Sequence, residues 1–85
     1  VSDIYFSNSL VNIICNESEI VDAVFKNCHI WITASRCIIK NCRFINCPIH
    51  TDSINNSIIT DNICSGSTNQ IIYYGGNNII KNLYV

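Results

Sequence analysis

Five segments of the chain align under one another: Val1-Ser-Asp-Ile-Tyr-Phe-Ser-Asn-Ser9, Ile20-Val-Asp-Ala-Val-Phe-Lys-Asn-Cys28, Ile39-Lys-Asn-Cys-Arg-Phe-Ile-Asn-Cys47, Ile59-Thr-Asp-Asn-Ile-Cys-Ser-Gly-Ser67 and Ile80-Lys-Asn-Leu-Tyr-Val85. Their starts step by 19, 19, 20 and 21 residues. Self-similarity at such a period is the signature of stacked repeats, in which each unit buries its apolar face against its neighbours. A chain of 85 residues is too short for a large compact core. A stack of coils escapes that limit, and a single domain over residues 1–85 is expected.

A shorter period of five lies inside the longer one. Read from Cys37, it runs Cys-Ile-Ile39-Lys-Asn, Cys-Arg-Phe44-Ile-Asn, Cys-Pro-Ile49-His-Thr, Asp-Ser-Ile54-Asn-Asn and Ser-Ile-Ile59-Thr-Asp. The same grid fits Ser-Glu-Ile20-Val-Asp and Ala-Val-Phe25-Lys-Asn. Each pentad is small, any, Ile/Phe, any, Asn/Asp. Side chains alternate between the faces of a strand, so the small residue and the central Ile or Phe point the same way. Asn and Asp close the pentad where the chain turns a corner, because they tolerate left-handed backbone. This pattern resembles the pentapeptide-repeat family over residues 1–66 and again over 78–85. Ile stands here for the family's usual Leu, and Asp/Asn rarely precedes the central apolar residue. The resemblance implies an all-β, right-handed parallel β-helix of about four coils, quadrilateral in section.

Stacking such coils predicts columns. One inward column is Val1, Ile20, Ile39, Ile59 and Ile80; the next is Phe6, Phe25, Phe44, Cys64 and Val85; a third begins Val11, Ile30 and Ile49. Corner columns are Asp3, Asp22, Asn41, Asp61, Asn82 and Asn8, Asn27, Asn46, Gly66. Two stretches leave the grid: 13–18, and 67–77 with the Gly75-Gly76 pair, which reads as a loop or bulge at a corner.

Six cysteines in so short a chain usually suggest a disulfide framework. Here Cys28, Cys37, Cys42 and Cys47 fall where the repeat wants a small inward residue, as do Ser9, Ser18, Ala23, Ser57 and Ser67. Packed thiols are therefore expected, with Cys28 and Cys47 the first pair to bridge on oxidation. The sequence leaves the compartment open, with a cytoplasmic location favoured. The spacing of Cys37, Cys42 and Cys47 is a period of five and not a zinc motif. No initiator Met is present, and the expectation is a piece of a longer solenoid.

Charged residues make up 13% and the formal net charge is −1. That balance argues against electrostatic capture of nucleic acid or of an acidic membrane, and no run approaches a membrane span. Some members of the family that this chain resembles mimic DNA and bind a type II topoisomerase; they need a strongly acidic surface, and here Lys26, Arg36, Lys40, Arg43 and Lys81 offset the six acids. That reading, and a fragment of a carbohydrate-active β-helix, are the alternatives. His50 with Asp52 is the nearest approach to an acid–base pair, and a corner is expected between them. Thr33, Thr51, Thr60 and Thr68 do not form the flat array that ice binding requires. No catalytic residue, metal site or cofactor is expected.

Three sets of outward apolar residues remain. Ile38, Ile58 and Ile79 form one column, and Val24, Ile45 and Ile63 lie on the next face beside Tyr5 and Tyr84; Trp31 also points out. Contiguous exposed apolar surface marks an interface. Leu83, Tyr84 and Val85 add an uncapped strand edge. The expected function is that of a non-catalytic structural or protein-interaction solenoid, associating with protein, first of all itself, through its coil ends or its apolar face.

Overall fold

The computed structural model describes residues 5–66 and 76–85, apart from the side chain of Asp52. Among these residues every element is a strand: β1 Tyr5–Ser7, β2 Leu10–Asn16, β3 Glu19–Val21, β4 Val24–Lys26, β5 His29–Ser35, β6 Ile38–Lys40, β7 Arg43–Ile45, β8 Ile49–Asn55, β9 Ile58–Ser65 and β10 Ile79–Tyr84. All observed pairings are parallel. The chain is a parallel β-solenoid of about four turns.

Three faces run along the stack. The first holds β3, β6 and the starts of β9 and β10; the second holds β1, β4, β7 and the ends of β9 and β10. The third is a separate sheet of β2, β5 and β8. Corners adopt positive φ: Asp22, Asn27 and Arg36 in one coil, Asn41, Asn46 and Asn56 in the next, then Asp61, Gly66 and Asn77. Asn and Asp hold most of these corners, as the pentad grid predicts.

Four equal sides are not what forms. Through β5 the residues alternate strictly, with Ile30, Ile32 and Ala34 buried and His29 and Trp31 exposed. A corner would break that alternation, so two pentads run on as one flat seven-residue strand and the section is three-sided. Corners on the two short faces lie five residues apart, as Asp22 to Asn27 and Asn41 to Asn46 do. Across the third face the spacing is 9 from Asn27 to Arg36 and 10 from Asn46 to Asn56. Between these two described coils the uneven repeat length thus comes from one face. The extra residue of β8 enters at the register shift opposite Ile32 and Thr33.

The expected inward columns hold for most of their length. Ile20, Ile39, Ile59 and Ile80 pair in register. Phe6, Phe25 and Phe44 stack with ring centroids 5.3 and 5.0 Å apart. Val11, Ile30 and Ile49 follow on the third face. Val1 and Asp3 lie outside the described residues, as does most of the 67–77 stretch, including Gly75.

Two assignments change at the last coil. Its register shifts between Lys81 and Leu83, so Tyr84 takes the place opposite Cys64 that Val85 was expected to fill. One corner residue is missing there, and Asn82 aligns with Asn62 instead of Asp61, as their hydrogen bonds show. The 13–18 stretch does place: Val11, Ile13 and Cys15 alternate inward along β2, with Ile13 and Cys15 buried.

The small column takes Ser and Cys for a shared reason. Ser9, Ser18 and Ser57 donate their hydroxyls to the carbonyl two residues back, at 2.8–2.9 Å. The thiols of Cys28, Cys42 and Cys47 do the same at 3.3–3.5 Å. Both groups give that carbonyl a side-chain donor, and at Lys26, Lys40, Ile45 and Asn55 it is a second donor beside a corner N–H of the preceding coil.

Candidate interaction surface

Parallel in-register pairing turns every outward position into a row. Glu19, Ile38, Ile58 and Ile79 form one such row on the first face. Ile38 is half-buried, Ile58 exposed, and Ile79 60% exposed. The apolar character of this row therefore grows toward the last coil.

On the second face the row is Tyr5, Val24, Arg43, Ile63 and Leu83. Arg43 interrupts it, so Ile63 and Leu83 are the contiguous apolar pair. Ile45 shares the face but belongs to another row, with Ser7, Lys26 and Ser65. Tyr84 sits at an inward position of the last coil and is still 37% exposed, while Val85 is exposed beside it. Between the two faces the corner carries Lys40 and Asp61, 3.9 Å apart and both solvated. Of the expected candidates, Ile38, Ile58 and Ile79 thus share one row and Ile63 and Leu83 another, on neighbouring faces; Val24 and Ile45 stand outside these runs, and Tyr84 belongs to the inward column.

Trp31 lies apart from them, on the third face. Its indole stacks on the ring of His50 at 4.4 Å, and His50 stacks in turn on His29 at 4.8 Å. The three rings form one outward cluster across two coils. The pentad grid places Trp31 near His50, but the inclusion of His29 depends on register. Leu10 and Ile14, 70% and 81% exposed on β2, were not among the expected interface residues. The alternation of Leu10 through Cys15 is the signal that finds them.

The chemistry available elsewhere is limited. Among the described residues no three His, Cys, Asp or Glu side chains gather as a metal site. Asp22, Asn41 and Asp61 each hold a left-handed corner, which accounts for their presence in one column. Any pairing of His50 with Asp52 rests on a side chain outside the described residues.

The cysteines divide. Cys15 and Cys37 form a disulfide across the turn from β2 to β6, against the expectation of thiols alone and of Cys28–Cys47 as the first bridge. Cys15 lies in the stretch that the grid does not place, which is why the pair is not visible as a column. Cys28, Cys42, Cys47 and Cys64 are free and buried. Burial pushes the Cys64 thiol up to about 11, and neighbouring Cys47 adds to the effect. Burial likewise raises Cys47 and Cys42.

Compared with known proteins, the chain matches no family model and no characterised sequence.

Proposed function

We propose that this protein is a non-catalytic structural module that binds protein, and first of all further copies of itself. The observation that supports this is the register of Ile38, Ile58 and Ile79, which lays one half-buried and two exposed branched side chains in a continuous row. A strand needs β-branched residues for its own stability only where they pack. Ile79 and Leu83 are more than half exposed, and removing such a side chain from water contributes about 1.5–3 kcal/mol. The same reading treats the chain as a pentapeptide-repeat-like solenoid. Five-residue spacing of corners on two faces supports that, and the seven-residue strands of the third face depart from it.

The test is mass in solution across a wide concentration range, for the wild type and for Ile58→Lys with Ile79→Lys. Both positions point outward, so the melting temperature is expected to stay close to wild type. The double variant is expected to associate at least about tenfold more weakly, the equivalent of 1.4 kcal/mol. A wild-type protein that stays monomeric throughout would sink the reading.

A further inference from the structure

We propose that Asn16 is the acceptor of an N-linked glycan, added outside the cytoplasm. The proposal does not depend on the self-association reading above.

Two stretches carry the acceptor pattern Asn-x-Ser: Asn16-Glu-Ser18 and Asn55-Asn-Ser57. The pattern supplies an amide nitrogen to take the sugar and a hydroxyl two residues on, and it marks a surface position in a secreted protein. Register brings both stretches to one corner of the solenoid, where β2 and β8 end: Asn16 and Asn55 each pair with Ser35. In both, the middle residue turns the corner at positive φ, with Glu17 and Asn56 each at 52°. In both, the Ser hydroxyl donates to the Asn carbonyl at 2.9 Å.

The side chains separate the two. Residues 16–18 are all exposed. Cys15 points into the core, so Asn16, next along the strand, points out. The carbonyl of Asn16 accepts from Ser18, while its side-chain amide has no hydrogen bond among the described residues. Asn55 is half-buried and engaged: its Nδ2 donates to Oγ of Ser53 at 2.8 Å, and its Oδ1 accepts the N–H of Gly76 at 3.3 Å. Ser57 is buried, and its hydroxyl also accepts the N–H of Cys37. A sugar on Asn16 therefore displaces nothing, whereas a sugar on Asn55 competes with contacts that hold the fold.

The compartment follows from a separate observation. Cys15, the residue before Asn16, is bonded to Cys37. Disulfides form and persist where the surroundings oxidise, as they do along secretory routes. Cys28, Cys42, Cys47 and Cys64 stay reduced in such surroundings because they are buried, out of reach of an oxidant.

The donor is an oligosaccharide joined through phosphate to a lipid carrier, supplied with its transferase by the cell. Nδ2 of Asn16 attacks the anomeric carbon. The C–N bond forms as the bond from that carbon to the phosphate oxygen breaks. The lipid phosphate leaves, and one amide proton passes to a base of the transferase. Nothing is oxidised or reduced.

Peptide mass mapping tests this on the full protein purified from the cells that naturally make it. After reduction, trypsin releases a peptide ending at Lys26, which holds the first acceptor pattern, and one from Phe44 to Lys81, which holds the second. The first is expected to carry the added mass of an oligosaccharide and the second to be bare. In the same cells Asn16→Gln and Ser18→Ala are both expected to abolish the added mass, although Ser18→Ala leaves the acceptor amide in place. Ser18→Thr is expected to keep it. All three changes are at exposed positions, so melting is expected to stay close to wild type. A bare first peptide in the wild type overturns the proposal, and so does sugar that survives Ser18→Ala. Sugar on both peptides keeps Asn16 as an acceptor and overturns the choice between the two corners.

Discussion

Asn62 is 0% exposed, yet its side chain is fully engaged: it accepts from Cys42 N–H and donates to the Ile39 carbonyl and to Asn82. In the preceding coils Ala23 and Cys42 hold the same column, so the position tolerates a small apolar residue only where neighbours make no polar demand. Asn62→Ala strands the Cys42 N–H, while Asn82 Oδ1 keeps the backbone N–H of residue 62. A cost of about 1–3 kcal/mol is expected from one buried unpaired donor, and urea unfolding of the variant checks it. The corners give a contrasting case. Asn41 has φ 55, where a Cβ-bearing residue without Asn's local bonding is strained. Asn41→Ala is expected to cost about 1 kcal/mol and Asn41→Gly less. Equal losses for the two would show that conformation is not what selects Asn there.

Strands and their connections set the next level. The thiols of Cys42, Cys47 and Cys64 all titrate above the ordinary range because burial disfavours the thiolate. The unfolded chain sheds these protons near pH 8.5, the ordinary value for a free thiol. The folded chain holds them longer, to about 11 at Cys64. Stability from these groups is therefore complete below about pH 8.5 and falls as pH rises through the folded values. Urea midpoints measured from neutral pH to pH 11 should decline, and Cys64→Ala should flatten the slope; a flat wild-type profile would contradict the assignment. The Cys15–Cys37 disulfide closes a loop with a sequence separation of 22. Its removal by Cys37→Ser is expected to cost about 3 kcal/mol, read as a lower thermal midpoint.

For the whole molecule, a solenoid has stability that sums over coils and their interfaces. Phe44 is packed between neighbours on both sides, Phe6 on one. Phe44→Ala is expected to cost about 3–5 kcal/mol, enough to unfold a marginal domain, and Phe6→Ala distinctly less. Hydrogen exchange should follow the same gradient, with β6 and β7 slowest and β1 and β10 fastest. Uniform protection along the stack would point to a single cooperative unit without end effects.

The repeat by itself determined the class of fold, the three inward columns and the corners at Asp22, Asn27, Asn41 and Asn46. It did so because alternation within a strand and left-handed tolerance at a corner are local properties, written residue by residue. The outward row of Ile38, Ile58 and Ile79 was legible on the same grounds. Tertiary structure alone decided the rest. Whether two pentads bend or run straight depends on how coils pack, and Ile30, Ile32 and Ala34 packed flat. Whether an Asn turns a corner or enters the core depends on an acceptor in the next coil, and Asn62 has Asn82. The Cys15–Cys37 bridge and the stacking of His29, Trp31 and His50 join residues from different coils. Their meeting follows from register, which is set by the sum of contacts along the stack and not by any one segment.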